Sequence, residues 1–418
     1  MSRRLAYPAL AFLCAAPRLA VLLHEGSAVT AGAKEKSFVF AQVFVQDGTY
    51  GFIPGDPSAY TQPLYGWFLV PIWWLFDAHW LAIGLSQIGL AVVAAWLVYE
   101  IGDRIASGRV AIAAAAVATL NPYLVWHDVH VNREIVDQVL ATALVLLTLV
   151  VARRPTRGLA AALGVVTGLA MLGNSRLVFI PVLCAGYLLW RLPRTRPTAL
   201  VAALVLAGAA VAVAPWLVRN KVNVGCWALT TDARALWKAN NPQTYQLLHS
   251  GQWIDNVRRP IRPPEPAHLT PEEARGRYDA THGRVVLHPD ECLAMRFFER
   301  QVLDYWRDHP GEKAKLVALS ESLYWQPNVI ETGGAKEHLD LGRRLAEPAY
   351  MWGLYAFAAV GLVAAPRAFV VLALLLFAYQ SLFVAIFVGA TRYRVSWDFL
   401  LALLAASGIA FAARRLAR

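Results

Sequence analysis

Five ionisable side chains crowd into nine residues at Trp126-His127-Asp128-Val129-His130-Val131-Asn132-Arg133-Glu134. Carboxylates and imidazoles at that density can move protons or ligate a bound group. The plainer reading is a solvated loop. Glu134 argues for more, because it opens the next apolar run and points back toward the loop it leaves. Arg176 lies in Gly173-Asn174-Ser175-Arg176-Leu177, and Arg392 and Arg394 lie in Thr391-Arg392-Tyr393-Arg394, each beside an apolar run. A guanidinium binds a phosphate through paired, charge-assisted hydrogen bonds, so these three are candidate anion ligands. Snorkelling to a lipid headgroup is the alternative. Further carboxylates, Glu25, Glu35, Asp47 and Asp56, fall in one long early loop. No CxxC or HExxH spacing is present, which argues against a built-in zinc site. No glycine-rich nucleotide loop is evident either.

The elements that hold these residues are predicted to be membrane helices. The chain has 418 residues, of which 57% are hydrophobic and 16% charged, well below the ~25% charge of soluble domains. Apolar runs long enough to cross a ~30 Å hydrocarbon core fall near 6–23, 80–101, 109–126, 135–152, 158–174, 177–190, 198–216, 348–364, 368–388 and 395–413. Runs such as Val110–Leu120 and Thr198–Ala214 carry no polar stripe, which excludes a soluble helical solenoid. The net charge of +11 is topological. With the N-terminus inside, Arg3/Arg4, Arg104/Arg109, Arg153/Arg154/Arg157, Arg191/Arg194/Arg196, Arg367 and Arg414/Arg415/Arg418 all face the cytoplasm, opposed by Asp103 alone. This placement makes nucleic-acid binding a poor reading. It predicts a multi-pass protein of the cell membrane with both termini cytoplasmic. Arg3 and Arg4 before an apolar run also describe a signal peptide; without a clean cleavage signature, a retained helix is expected.

Three regions follow. Residues 1–216 form an N-terminal membrane module carrying two outer loops, 25–79 and 127–134. Residues 217–347 form a small, mostly helical outer domain, and 348–418 form the last membrane helices. The stretch from Leu64 to Phe76 is apolar and rich in tryptophan but short, which predicts an interfacial helix. Glu291–His309 reads as an amphipathic helix. Cys14 and Cys184 fall in predicted spans; Cys226 and Cys292 fall in the outer segment, where a disulfide can form in an oxidising compartment.

Several stretches in order resemble the GT-C glycosyltransferases, specifically bacterial relatives of protein O-mannosyltransferases and aminoarabinose transferases. They are Gln62-Pro63-Leu64-Tyr65, Asn121-Pro122-Tyr123, Asn132-Arg133-Glu134, Gly168 to Arg176, Pro215 to Asn220, Asp308-His309-Pro310 and Arg392-Tyr393-Arg394. The resemblance implies an all-α GT-C bundle of about ten helices. It also implies transfer of a sugar from a polyprenyl-phosphate carrier to an acceptor hydroxyl of a glycan, lipid or protein on the outer face, by a single inverting displacement. A carboxylate in the first loop would take the acceptor proton. The family places an Asp there, often followed by Glu; here the stretch reads Lys34-Glu35-Lys36-Ser37-Phe38. Glu35 is then the first candidate base and Glu25 the second, with Asp47, Asp56 and Asp128 also open, or the site has lost transfer. Arg176, Arg392 and Arg394 would bind the carrier phosphate, with Asp128, Glu134 and Tyr65 lining the cavity. Related oligosaccharyltransferases hold a divalent metal between these loops; mannosyltransferase relatives work without one, so no metal is expected to be required. Two other classes stay open: a multi-pass transporter or lipid flippase, disfavoured because no internal repeat is visible, and a non-catalytic scaffold that binds a carrier lipid.

Overall fold

The computed structural model describes residues 3–31, 35–258, 261–267, 270, 272, 288–327 and 341–417. Among them the chain is helical, with one isolated bridge between Ile53 and Asp56 as its nearest approach to a strand. Ten helices match the predicted spans or their cores: α1 (Arg3–Glu25), α4 (Trp80–Ile105), α5 (Gly108–Thr119), α7 (Glu134–Arg153), α8 (Arg157–Gly173), α9 (Ile180–Arg191), α10 (Arg196–Asn223), α15 (Leu341–Ala364), α16 (Arg367–Ile386) and α18 (Asp398–Leu416). Six of the described helices, α1, α4, α7, α10, α16 and α18, are long and apolar enough to cross a membrane. The chain is a multi-pass membrane protein.

Two boundaries differ from the sequence expectation. The span expected at 109–126 breaks after Thr119, and α6 (Pro122–His127) starts a new direction. Asn121 accepts a hydrogen bond from the Tyr123 amide at 3.1 Å, and Pro122 occupies the first helical position, where its missing N–H costs nothing. α10 runs on past 216 to Asn223; at 28 residues it is ~42 Å long and projects beyond a bilayer core. α2 (Lys36–Asp47) ends on Gly48 in the left-handed region, φ 76°. α3 (Pro63–Phe76) is the short tryptophan-rich helix, with Trp67, Trp74, Leu75 and Phe76 exposed.

Close helix contacts rely on small residues, as is usual where lipid supplies little drive for helix association. A Cβ on Gly164 or Gly208 would strike the backbone of the facing helix in the α8–α10 pair. Gly361 of α15 and Gly408 of α18 do the same, with Leu404 O 2.0 Å and Phe357 O 2.3 Å from the added carbon. α18 is buried on every side from Asp398 to Gly408, so it forms the centre of the bundle. Gly361→Leu is therefore expected to force α15 off α18 and cost at least ~1–3 kcal/mol. Thermal unfolding in detergent micelles reads this directly; an unchanged midpoint would refute the packing.

Between α10 and α15 the described residues form a small helical domain: α11 (Ala233–Lys238), α12 (Thr244–His249), α13 (Glu291–Asp308) and α14 (Pro310–Trp325). The apolar face of α13, through Phe298 and Val302, packs on Trp237 and Val257. Cys226 and Cys292 are joined in a disulfide. Next to it, Glu291 accepts hydrogen bonds from Ser58 Oγ, the Ala59 amide at 3.0 Å and Thr231 Oγ1 at 2.7 Å. This fastens the first loop to the inserted domain.

Candidate functional site

Four connections meet at one end of the bundle, and each is held by local sequence. In the first loop, Glu35 is the N-cap of α2; its carbonyl accepts from the Phe38 amide at 3.0 Å, while its side chain makes no capping bond. The Glu35 charge instead acts on Arg133 and Arg392. Its neighbour Lys36 turns away, onto Asp232 at 2.8 Å and the face of Tyr60 at 4.4 Å. Lys34 lies outside the described residues. At the far end of the same loop, Gln62 precedes Pro63. Its carbonyl accepts from Arg133 at 2.6 Å and its amide donates to Ser175 Oγ at 2.9 Å.

The second loop is braced from below. Asn132 Nδ2 donates to the carbonyls of His127 (2.6 Å) and His130 (2.8 Å). Gln87 of α4 donates to the carbonyls of Asp128 and His130, both at 2.8 Å, and accepts from Tyr65 Oη at 2.7 Å. The loop thus delivers Arg133 and the first turn of α7, where Glu134 and Asp137 share a face three residues apart. In the third connection, Asn174 ends α8, donates to Asp137 Oδ2 at 2.9 Å and accepts from Arg176 N and Nε, both at 3.2 Å. The Arg176 guanidinium lies 3.6 Å over the Tyr393 ring. In the fourth, the chain passes Gly389, where an added Cβ would sit 1.7 Å from Ser320 O. It then forms α17 (Thr391–Val395), whose Arg392 donates to Glu134 Oε1 from Nε at 2.8 Å and Nη2 at 2.5 Å.

Glu35, Glu134, Asp137, Arg133, Arg176 and Arg392 therefore make one charged cluster. Glu134 is 5% exposed and its second oxygen lies 3.5 Å from His127 Nε2. Burial alone would lower the Arg392 pKa, but Glu134 overrides it and holds the guanidinium above its usual value. Arg176 is pushed the other way, chiefly by burial. Neither Arg133 nor Arg176 has an ion-pair partner among the described residues, and Arg133 Nε is buried without a hydrogen-bond acceptor there. Such a pair of cations can take an anion without first giving up a carboxylate.

The other candidates from the sequence stand elsewhere. Asp128 is buried on Arg18 of α1, accepting from Nε at 2.9 Å and Nη2 at 2.8 Å. Arg394 is 1% exposed; it binds Asp398 at 3.0 Å and the carbonyls of Tyr324 (2.6 Å) and Gln326 (3.0 Å), which ties α14 to α18. Glu25 faces His130 at 3.8 Å. Tyr65 is buried under the second loop on Gln87, and Asp47 holds its own turn through Thr49 and the Gly55 amide. No group of three His, Cys, Asp or Glu able to hold a metal occurs among the described residues. Arg133, Asp137 and Gln62 had no role assigned from sequence. The signals available were the i, i+3 spacing of Glu134 and Asp137 at a helix start and the stretches Gln62-Pro63-Leu64-Tyr65 and Asn132-Arg133-Glu134.

Comparison with known proteins agrees with this architecture. Residues 57–218, which carry the end of the first loop, the second loop and Arg176, match the family described as dolichyl-phosphate-mannose-protein mannosyltransferase. The archaeal oligosaccharyltransferase AglB from Archaeoglobus fulgidus, solved with an inhibitory peptide and a dolichol-phosphate, superposes with a TM-score of 0.52 at 12% identity, over 98% of this chain and 50% of that one. The A. fulgidus oligosaccharyltransferase tethered through a disulfide to an acceptor peptide containing the NVT sequon gives a TM-score of 0.54 at 12% identity, again over 98% and 50%. The chain thus spans about half the length of these enzymes. No curated protein matches it. The fold resembles that of the GT-C glycosyltransferases. The family match falls on the segment that supplies the second loop.

Proposed function

We propose that the protein transfers a sugar from a polyprenyl-phosphate carrier to an acceptor hydroxyl on the outer face of the cell membrane. The observation that carries this reading is the convergence of Arg133, Arg176 and Arg392 on the carboxylates of Glu35, Glu134 and Asp137 at one bundle end. The acceptor oxygen would attack the anomeric carbon as the bond from that carbon to the phosphate oxygen breaks. The phosphate leaves with the electron pair, and its growing charge is met by Arg133 and Arg176, with Arg392 beside them. The acceptor proton passes to a carboxylate, for which Glu35 is the first choice because it stands in the first loop and makes no capping bond. Glu134 and Asp137 orient the arginines. Two features support the outer placement: arginine clusters at the opposite bundle end and the Cys226–Cys292 disulfide beside the site's own first loop.

Glu35→Gln tests the base. It is expected to lower transfer by ~10²–10⁴-fold while polyprenyl-phosphate binding stays within a few-fold of wild type. Unchanged turnover would remove Glu35 from the reaction and pass the role to Asp137. A second reading, a carrier-binding scaffold without transfer, is favoured by one observation: Arg392 is already neutralised by Glu134. Tight carrier binding with no sugar transfer would select it.

A further inference from the structure

Gln62 is the N-cap of α3, a position where short side chains usually accept from the first turn of the helix, yet it makes no capping bond. The backbone on either side of it is pinned from elsewhere. Thr230 Oγ1 donates to Tyr60 O at 2.8 Å, and Tyr50 Oη donates to Pro63 O at 3.0 Å. The half-buried side chain is thereby aimed away from α3 and across the charged cluster. Its carbonyl accepts from Arg133 Nη1 of the second loop at 2.6 Å, and its amide donates to Ser175 Oγ of the third connection at 2.9 Å. The orientation is forced, because a guanidinium has donors alone and an amide nitrogen cannot accept them.

This bridge joins the two cations that have no ion-pair partner among the described residues. Arg133 is held directly, and its Nε stays buried without an acceptor there. Arg176 follows Ser175 in a single turn, Ser175–Leu177, and the Arg133 charge acts on it. Like charges repel, so their separation has to be fixed from outside the pair. One neutral side chain that spans the two connections does this without consuming either charge. Glutamate has the same length and shape. In this place, however, it would form a charge-assisted pair with Arg133 and stand where an incoming anion has to bind. Both the reach and the neutrality of Gln62 therefore matter: the amide holds Arg133 and leaves its charge to the ligand.

We infer that Gln62 is a positioning residue that sets the spacing of Arg133 and Arg176 and so shapes the seat of the carrier phosphate. The inference rests on the transferase reading, and its test separates the two. The full-length protein in nanodiscs would be titrated with polyprenyl phosphate and assayed for transfer from labelled polyprenyl-phosphate hexoses and pentoses to cell-envelope acceptor. Gln62→Glu is expected to weaken carrier binding at least tenfold. Gln62→Met keeps the length but loses both hydrogen bonds. It is expected to leave the carrier Kd within about threefold of wild type and to lower kcat by ~10–10²-fold, the cost of a misplaced group. Gln46→Glu puts the same charge at an exposed position of the first loop and should change neither quantity. Thermal unfolding of all three variants should stay close to wild type. Carrier binding that Gln62→Glu leaves untouched would overturn the inference alone, as would equal losses of binding and turnover in the glutamate and methionine variants, the pattern of a merely structural residue. A wild type that binds no carrier would overturn the transferase reading and this inference with it. Carrier binding without transfer would overturn the transferase reading only, and the effect of Gln62→Glu on binding would then decide the inference.

Discussion

Arg392→Ala is expected to lower sugar transfer by roughly 10²–10³-fold, the usual cost of removing one donor from a developing oxyanion. Arg392 is one of three guanidiniums at the proposed leaving-group position, and at 25% exposure it is open to a ligand. The same substitution strands Glu134, which is 5% exposed and among the described residues would keep His127 at 3.5 Å and the more distant charge of Arg133. A stranded buried carboxylate is itself destabilising, so a second variant separates the effects. Arg392→Ala combined with Glu134→Gln relieves the carboxylate. If Arg392 acts on the phosphate, the double variant stays at least ~10²-fold down. Recovery to within a few-fold of wild type would show that Arg392 serves only to neutralise Glu134. Arg392→Lys, which keeps the charge but loses the fork, should fall between wild type and alanine.

The largest stability effect is expected at Arg18. Its guanidinium is fully buried in α1 and satisfies Asp128 through two bonds, together with the carbonyls of Cys14 (3.1 Å) and Thr119 (2.9 Å). Arg18→Met leaves the Asp128 carboxylate buried and unpaired and should cost ~3–5 kcal/mol. The double variant Arg18→Met/Asp128→Leu removes both charges and should regain most of that loss, since apolar replacements of buried pairs are often neutral. Unfolding in detergent distinguishes the cases. A single variant as stable as the double would mean that water reaches the pair. Because Gln87 also bonds the Asp128 carbonyl, the single variant should in addition loosen the loop that presents Arg133 and Glu134.

The helices were legible in the sequence because lipid-facing helices announce themselves by length and apolarity. A helix stands at each predicted span, six of them among the described residues long and apolar enough to cross a membrane, and the short Leu64–Phe76 stretch became α3. The break within 109–126 was written in Asn121-Pro122, a capping residue followed by a proline, but the apolar residues on both sides concealed it. The site was legible by region and less so by residue. Glu134, Arg176 and Arg392 were picked out by their type and position, and the structure brings them together. Asp128 and Arg394 carry the same signals, yet each is already engaged: Asp128 by Arg18, 110 residues away, and Arg394 by Asp398, four residues on, together with the Tyr324 carbonyl, 70 away. Arg133 was invisible for the opposite reason. It looked like one charge among five in a dense loop, and only the placement of Gln62 and the absence of an ion-pair partner among the described residues set it apart.

The central claim is tested most directly by incubating the purified protein in liposomes with labelled polyprenyl-phosphate hexoses and pentoses, in the presence of cell-envelope acceptor. The readout is release of free polyprenyl phosphate together with appearance of label in the acceptor. The account predicts stoichiometric release and transfer by the wild type, with both lost in Glu35→Gln and Arg392→Ala. Release and transfer that persist in both variants, or a wild type that binds the carrier and transfers nothing, would contradict it.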